Sequence, residues 1–232
     1  MIKRIISKIK EMYRLRSSES YIDYLRKRGI EIGSGTYIQS PKTTDIDDTR
    51  PSLVSIGKNC FINKYFEIHT HDWVSHVFLH SGRDMINSSG RVTIGDNVAF
   101  GRHVMVLKGV TIGDNCFIGA GSIVSKDIPA NSVAVGAPAR VVMSLDEYYD
   151  KRMRVSESEA FDYARSITER FNRRPTPSDF WEEFPLFVNG KDVEHYPEIP
   201  IKRQLGPMYA HYVENHKAKY KSFEEFLKAA NI

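Results

Sequence analysis

The stretch from Ile94 to Ile128 reads IGDNVAFGRHVMVLKGVTIGDNCFIGAGSIVSKDI. Cut every six residues, it places Ile94, Phe100, Val106, Ile112, Ile118 and Val124 in one column. Four positions further on, a second column holds Val98, Val104, Val110, Cys116, Ser122 and Ile128. Gly95, Gly101, Gly113 and Gly119 directly follow the first column. A fixed period over a whole segment marks a repeat architecture. This period is neither that of a helix nor that of a half-buried strand. It suits a coil of short flat faces, each turning one large and one small side chain inward, with glycine giving the backbone freedom to turn the corners.

The register extends upstream. It begins weakly at Ile32-Gly33 with Ile38 and breaks over residues 43–53 (TTDIDDTRPSL). It resumes at Ile56-Gly57 with Ile62 and Ile68, then breaks again over residues 71–91. Insertions in a repeat protein lie on its surface and often carry binding. Four of the eight histidines, His69, His71, His76 and His80, cluster at the second break, together with Asp72, Trp73 and Arg83.

The flanks read differently. Residues 1–29 predict a helix with Ile2, Ile5, Ile6, Ile9, Met12 and Tyr13 on one face and Lys3, Arg4, Lys8, Lys10 and Arg14 on the other. Such a helix either packs its apolar stripe on the coil or on a partner subunit, or lies on an anionic membrane surface. After an exit strand (PANSVAVGAPARVV, residues 129–142), residues 145–174 predict a polar helix or two. Ser178 or Asp179 is expected to cap a short helix, and residues 186–193 around Asn189-Gly190 predict a hairpin. Residues 207–220 predict a helix, and Ser222 with Glu225 opens a last one. The domain reading is therefore a 1–29 helical segment, a 30–142 coil with the loop 71–91, and a mostly helical 143–232 extension.

Composition narrows the function classes. The chain has 232 residues, 41% of them hydrophobic, which is enough to pack a core. A net charge of +4 is too small and too evenly spread to indicate nucleic acid. Cys60 and Cys116 fall on the inward small-residue column, which suits core thiols rather than a disulfide framework. With no apolar run of membrane-spanning length and no uninterrupted signal-peptide core, the expected compartment is cytoplasmic.

Residues 94–142 resemble the hexapeptide-repeat acyltransferases, and IGAGSIVSKDIPANSVAVGAPARVV (118–142) is similar to that family's closing coil and exit strand. RPSLVSIGKNCFINKYFEIHTHDW (50–73) resembles the front half of its O-acetyltransferase branch. The resemblance implies an all-β core, a left-handed parallel β-helix, here with an N-terminal helix and a helical C-terminal extension. It also implies homotrimers with active sites between subunits and acetyl-CoA as co-substrate. The reaction implied is acetylation of a sugar hydroxyl in the synthesis of capsule or lipopolysaccharide, the alternatives being N-acetylation of a nucleotide-linked amino sugar or acetylation of an antibiotic.

Carried over by position, His71 in Thr70-His71-Asp72 is the general base in a direct transfer. Asp72 orients it or binds the acceptor. His69 is the runner-up base. Trp73, His76 and Arg83 are acceptor contacts, and Ala120, Ser125, Lys126 and Arg140 are donor contacts. A main-chain amide near Gly101 is the oxyanion donor. Sugar acetyltransferases of this kind often carry a Trp where this chain has Ala99. Two other classes share the coil: zinc hydratases, for which His69, His71 and His103 are the available ligands at the wrong spacing, and non-catalytic scaffolds. No metal is expected.

Overall fold

The computed structural model describes residues 11–232. These fall into two compact units, the first ending at Tyr149 and the second running from Asp150 to Ile232.

The first unit is built from strands of mostly two residues. In chain order they are β1 (Glu31–Ile32), β2 (Tyr37–Ile38), β3 (Asp45–Ile46), β4 (Val54–Ile56), β5 (Phe61–Ile62), β6 (Glu67–Ile68) and β7 (Val92–Ile94). Beyond these come β8 (Ala99–Phe100), β9 (Met105–Val106), β10 (Thr111–Ile112), β11 (Phe117–Ile118), β12 (Ile123–Val124), β13 (Ser132–Val135) and β14 (Arg140–Ser144). From β1 to β12 the chain visits three parallel sheets in rotation. The first orders β1-β4-β7-β10, the third β12-β9-β6-β3, and the second β13-β11-β8-β5-β2 with β14 added antiparallel.

Strands this short have no stability of their own. They hold because each is hydrogen-bonded to a neighbouring coil, the inner ones on both sides, while burying one large residue, worth roughly 1.5–3 kcal/mol. The register aligns Ile32, Ile56, Ile94 and Ile112 in the first sheet. In the second it aligns Ile38, Ile62, Phe100, Ile118 and Ala134. In the third it aligns Ile46, Ile68, Val106 and Val124. All of these are buried, and so is the small-residue column from Val98 to Ile128, including Cys60 and Cys116.

The glycines serve a purpose other than the one expected. Gly95, Gly101, Gly113 and Gly119 do not have positive φ. They are needed for space: a Cβ on Gly101 would lie 2.5 Å from the Ala120 nitrogen, and one on Gly113 would lie 2.5 Å from the Ala130 nitrogen. Left-handed backbone falls instead on Asn59, Asn97, Asn115 and Asn131 between the first and second sheets, and on Tyr65 and His103 between the second and third. Asparagine tolerates this conformation better than other side chains do.

A helix, α1 (Ser18–Arg28), packs across the start of the coil. Ser17 caps it, accepting from the Ser20 N–H, and Gly29 ends it at φ 104°. Its Tyr21, Ile22 and Leu25 join the coil's core, and Ser18 Oγ accepts the Ile38 N–H at 2.9 Å. The continuous helix expected over 1–29 is thus interrupted before Ser17. Met12 and Tyr13 are exposed, and Ile2 to Ile9 lie outside the described residues. A short helix, α2 (Val74–His80), occupies the loop between β6 and β7.

The second unit is helical and aromatic, as expected of the extension. The helix α3 (Leu145–Phe171) contributes Ala160, Ala164 and Ile167 to a core with Phe180, Phe184, Phe187, Phe223 and Phe226. A short helix, α4 (Ile201–Leu205), precedes that span, and in place of the helix expected over 207–220 there is only the shorter α5 (Tyr209–Asn215), with extended backbone at His216. Ser222 caps α6 (Phe223–Ala229) as expected, whereas the cap before Phe180 is Thr176 with Asp179. The hairpin expected at 186–193 is two 3-10 turns. Gly190 is there because a Cβ would lie 2.3 Å from the Tyr212 carbonyl oxygen. Among the described residues, no helix is long and apolar enough to cross a membrane.

Candidate active site

Both interruptions of the repeat leave the coil at the same corner, where the third sheet passes to the first. Ile46 sits directly over Ile68 in the third sheet, so residues 43–53 are not a pure excursion: Asp45 and Ile46 belong to a coil. The residues after Ile46 therefore lie beside those after Ile68. The Asp47 N–H donates to the Ile68 carbonyl, and the Asp47 carboxylate meets Thr70 and His71 of the next coil.

Asp47 Oδ2 accepts from the Thr70 hydroxyl and N–H and, at 2.8 Å, from His71 Nδ1–H. Its other oxygen accepts the Thr49 N–H and hydroxyl. Burial alone would push this carboxyl up. The hydrogen bonds from Thr49, Thr70 and His71 outweigh burial and hold it well below the usual carboxylate range. A carboxylate only accepts, so the shared proton sits on His71 Nδ1, and in the neutral ring the lone pair is on Nε2. The Asp47 side chain is 9% exposed and that of His71 is 25% exposed. The pair thus has a sheltered anchor and an accessible ring. The His71 backbone is fixed by a bridge to Ser89, and Gly90 N–H donates to the Thr70 carbonyl.

Asp72 is not the carboxylate that orients His71. Adjacent side chains diverge here: Asp72 pairs with Lys108 and accepts from Ser88 and the Val74 N–H, contacts that lower its pKa to about 2. Asp47, which was not singled out in the sequence, holds that position. Its signal was the acidic-Ile pair Asp45-Ile46 matching Glu67-Ile68, obscured because the 3-10 turn Pro41–Thr43 stretches the spacing from Ile38. His69 Nε2 lies 3.0 Å from Glu67 on its own coil. Trp73 is largely exposed and precedes α2, on which the His76 ring lies tilted against that of His80. Arg83 donates to Ser81. No hydrogen bond, ion pair or ring contact joins Trp73, His76 or Arg83 to His71. His103 stacks flat on Tyr65 at 4.4 Å. The three histidines weighed as zinc ligands are therefore engaged separately, and among the described residues no His, Cys, Asp or Glu group is poised for a metal.

The expected donor contacts separate onto two corners. Ser125 and Lys126 follow β12 and share the corner of His71, two coils further along. Gly101 and Ala120 lie at the preceding corner, between the second and third sheets, and Arg140 begins the exit strand β14. Ala120, Ser125, Lys126 and Arg140 are all exposed. Gly101 cannot itself be an oxyanion donor, since its N–H is engaged by the Ile118 carbonyl at 2.8 Å. It keeps the coil narrow beside Ala120 instead.

The model of the family described as bacterial transferase hexapeptide (six repeats) matches residues 91–126. The galactoside O-acetyltransferase of Escherichia coli (strain K12) is 37% identical over 160 residues, covering 66% of this chain and 76% of that protein. The chain belongs to the hexapeptide-repeat transferases. A Staphylococcus aureus (strain MRSA252) protein named as an acetyltransferase is 51% identical to this transferase over 67 residues, 29% of this chain and 34% of its own. A solved galactoside acetyltransferase in complex with coenzyme A is 30% identical, covering 64% of this chain and 83% of its own, with a TM-score of 0.42.

Proposed function

We propose that this transferase moves acetyl from acetyl-CoA to a sugar hydroxyl, with His71 as general base and Asp47 as its positioning carboxylate. The observation that carries the reading is the 2.8 Å bond from His71 Nδ1–H to Asp47, which leaves Nε2 as the accessible proton acceptor. A neutral hydroxyl needs its proton removed as it attacks. Nε2 takes that proton while the hydroxyl oxygen bonds to the thioester carbonyl carbon. The carbon–sulfur bond then breaks, and the imidazolium returns the proton to the departing thiolate. The transfer is direct, since Cys60 and Cys116 are buried.

The galactoside acetyltransferase relative supports a sugar acceptor, and a surface polysaccharide is the acceptor class this reading favours. The coil is proposed to wind left-handed as a closed solenoid, to form the catalytic unit (30–142) in the cytoplasm where acetyl-CoA is made, and to leave residues 143–232 to shape acceptor use. Separation of the donor contacts onto two corners favours a trimer. In it, Gly101, Ala120 and Arg140 of one copy would complete the site that His71, Ser125 and Lys126 begin on another. Trp73, His76 and Arg83 would meet the acceptor from the loop 71–91.

The test is release of CoA from acetyl-CoA against a panel of mono- and oligosaccharides. A sugar-dependent release that is lost in His71→Ala, while acetyl-CoA still binds, supports the proposal. Sugar-dependent release unchanged in that variant removes His71 from the mechanism. Sedimentation at three times the 26.6 kDa chain mass is the outcome expected for the trimer.

A further inference from the structure

The second unit carries a cavity of about 410 Å³ lined by Tyr163, Ser178, Asp179, Trp181, Glu182 and Glu183. Small-molecule sites run from roughly 300 to 1,000 Å³. Part of the wall is preorganised. Asp179 is gripped by Arg173 through bonds of 2.6 and 2.8 Å and closes a capping box with Thr176. The Tyr163 hydroxyl donates to the Asp179 carbonyl, and its ring stands edge-on to the buried Phe180 at 5.4 Å. A fixed wall lowers the ordering cost of binding.

Trp181 breaks the pattern of its surroundings. Phe180, Phe184 and Phe187 are buried, whereas Trp181 is 48% exposed at the cavity. An exposed indole beside carboxylates offers two things together: an apolar face, and acceptors at its edge. A pyranose ring has the matching halves, a C–H face that stacks and hydroxyls that donate. Arg173 neutralises Asp179 from outside the lining, and among the described residues no cation lines the cavity. Glu182 and Glu183 therefore disfavour an acidic sugar, since like charges set together cost binding energy.

We propose that this cavity is a second glycan site, in which an uncharged pyranose unit stacks on Trp181 and donates hydroxyl hydrogen bonds to Glu182 and Glu183. The site rests on the reading of the acceptor as a sugar and adds that the acceptor is a chain with uncharged units, held at a point separate from the reacting hydroxyl.

The test is calorimetric titration of the full chain with maltoheptaose, a mannan fragment, chitohexaose and an oligogalacturonate. At least one uncharged chain is expected to bind and the oligogalacturonate is not. Trp181→Ala is expected to weaken binding by about tenfold or more, with Trp181→Phe recovering most of it and both variants melting like the parent. The double variant Glu182→Gln, Glu183→Gln is expected to weaken the uncharged chain and admit the oligogalacturonate. Equal binding of the acidic chain by the parent, or no Trp181-dependent heat with any chain, overturns the site. CoA release without Trp181-dependent heat removes this site alone. Trp181-dependent heat without sugar-dependent CoA release keeps the site and removes the transferase reading.

Discussion

Two corners of one coil, made from the same six-residue unit, have diverged. Between the first and second sheets the turns repeat: Asn59, Asn97, Asn115 and Asn131 take φ values of 54°, 56°, 55° and 57°. The side-chain amide of Asn97 donates to Asn115, and that of Asn115 to Asn131. Between the third and first sheets the turn swells twice, and the swellings bring Asp47, Thr70 and His71 together. Stacking like on like gives a ladder whose groups satisfy one another. A site for chemistry needs unlike groups in adjacent coils, and insertion supplies them. Stability and catalysis are thereby assigned to different corners, and substitutions at the two should separate cleanly.

The largest expected effect is on the interrupted corner. His71→Ala should lower acetyl transfer by about 10³–10⁴-fold while the melting temperature stays near that of the parent, as steady-state CoA release and calorimetry would show. The converse comes from the regular corner. Gly113→Val forces a side chain against the Ala130 nitrogen and should cost about 3 kcal/mol of stability in denaturant titrations, with turnover per folded molecule retained. Equal damage to rate and stability by either change would break the division.

Asp47→Asn tests the anchor. Loss of a fixed ring orientation should lower turnover by about 10²-fold, with less effect on acetyl-CoA binding. Asp47 also links the site to pH. Its folded pKa lies below its unfolded one, so its stabilisation is fully present above the unfolded value and is lost as pH falls through the folded value. The stability gap between the parent and Asp47→Asn should be flat between about pH 6 and 8 and close only in strong acid. The smallest effect is at Asn115. Asn115→Ala forces alanine into left-handed backbone and should cost about 1–2 kcal/mol, whereas Asn115→Gly should cost less.

The coil was legible because its two columns recur without gaps from Ile94 to Ile128, and every one of those residues is buried. His71 could be singled out because a histidine between Thr70 and Asp72 sits where the repeat stops. Asp47 was not legible, since its neighbour Ile46 is eight residues from Ile38 rather than six. Register between coils, which sets what Asp47 touches, is invisible to a count along one coil. The glycines were rightly placed but wrongly explained. A left-handed residue and a crowded one both select glycine, and only the next coil's position at Gly101 tells them apart. The same ambiguity misled at Asn189-Gly190, where the glycine answers the Tyr212 carbonyl rather than a hairpin turn. Trp181 lies between two 3-10 turns, outside any regular element, so no period could distinguish it from its buried phenylalanine neighbours.

The two covers on the coil have a consequence for how the protein survives at high concentration. A parallel stack has no natural last rung, and its bare edges invite another molecule to continue it into a fibre. Here α1 lies across β1 and β2 at one end, and at the other β14 runs backwards against β13, so the next strand met there has the wrong polarity for a further hexad. The fold therefore sets its own length, and polymerisation along the stack is blocked at the starting end by a helix and at the finishing end by direction.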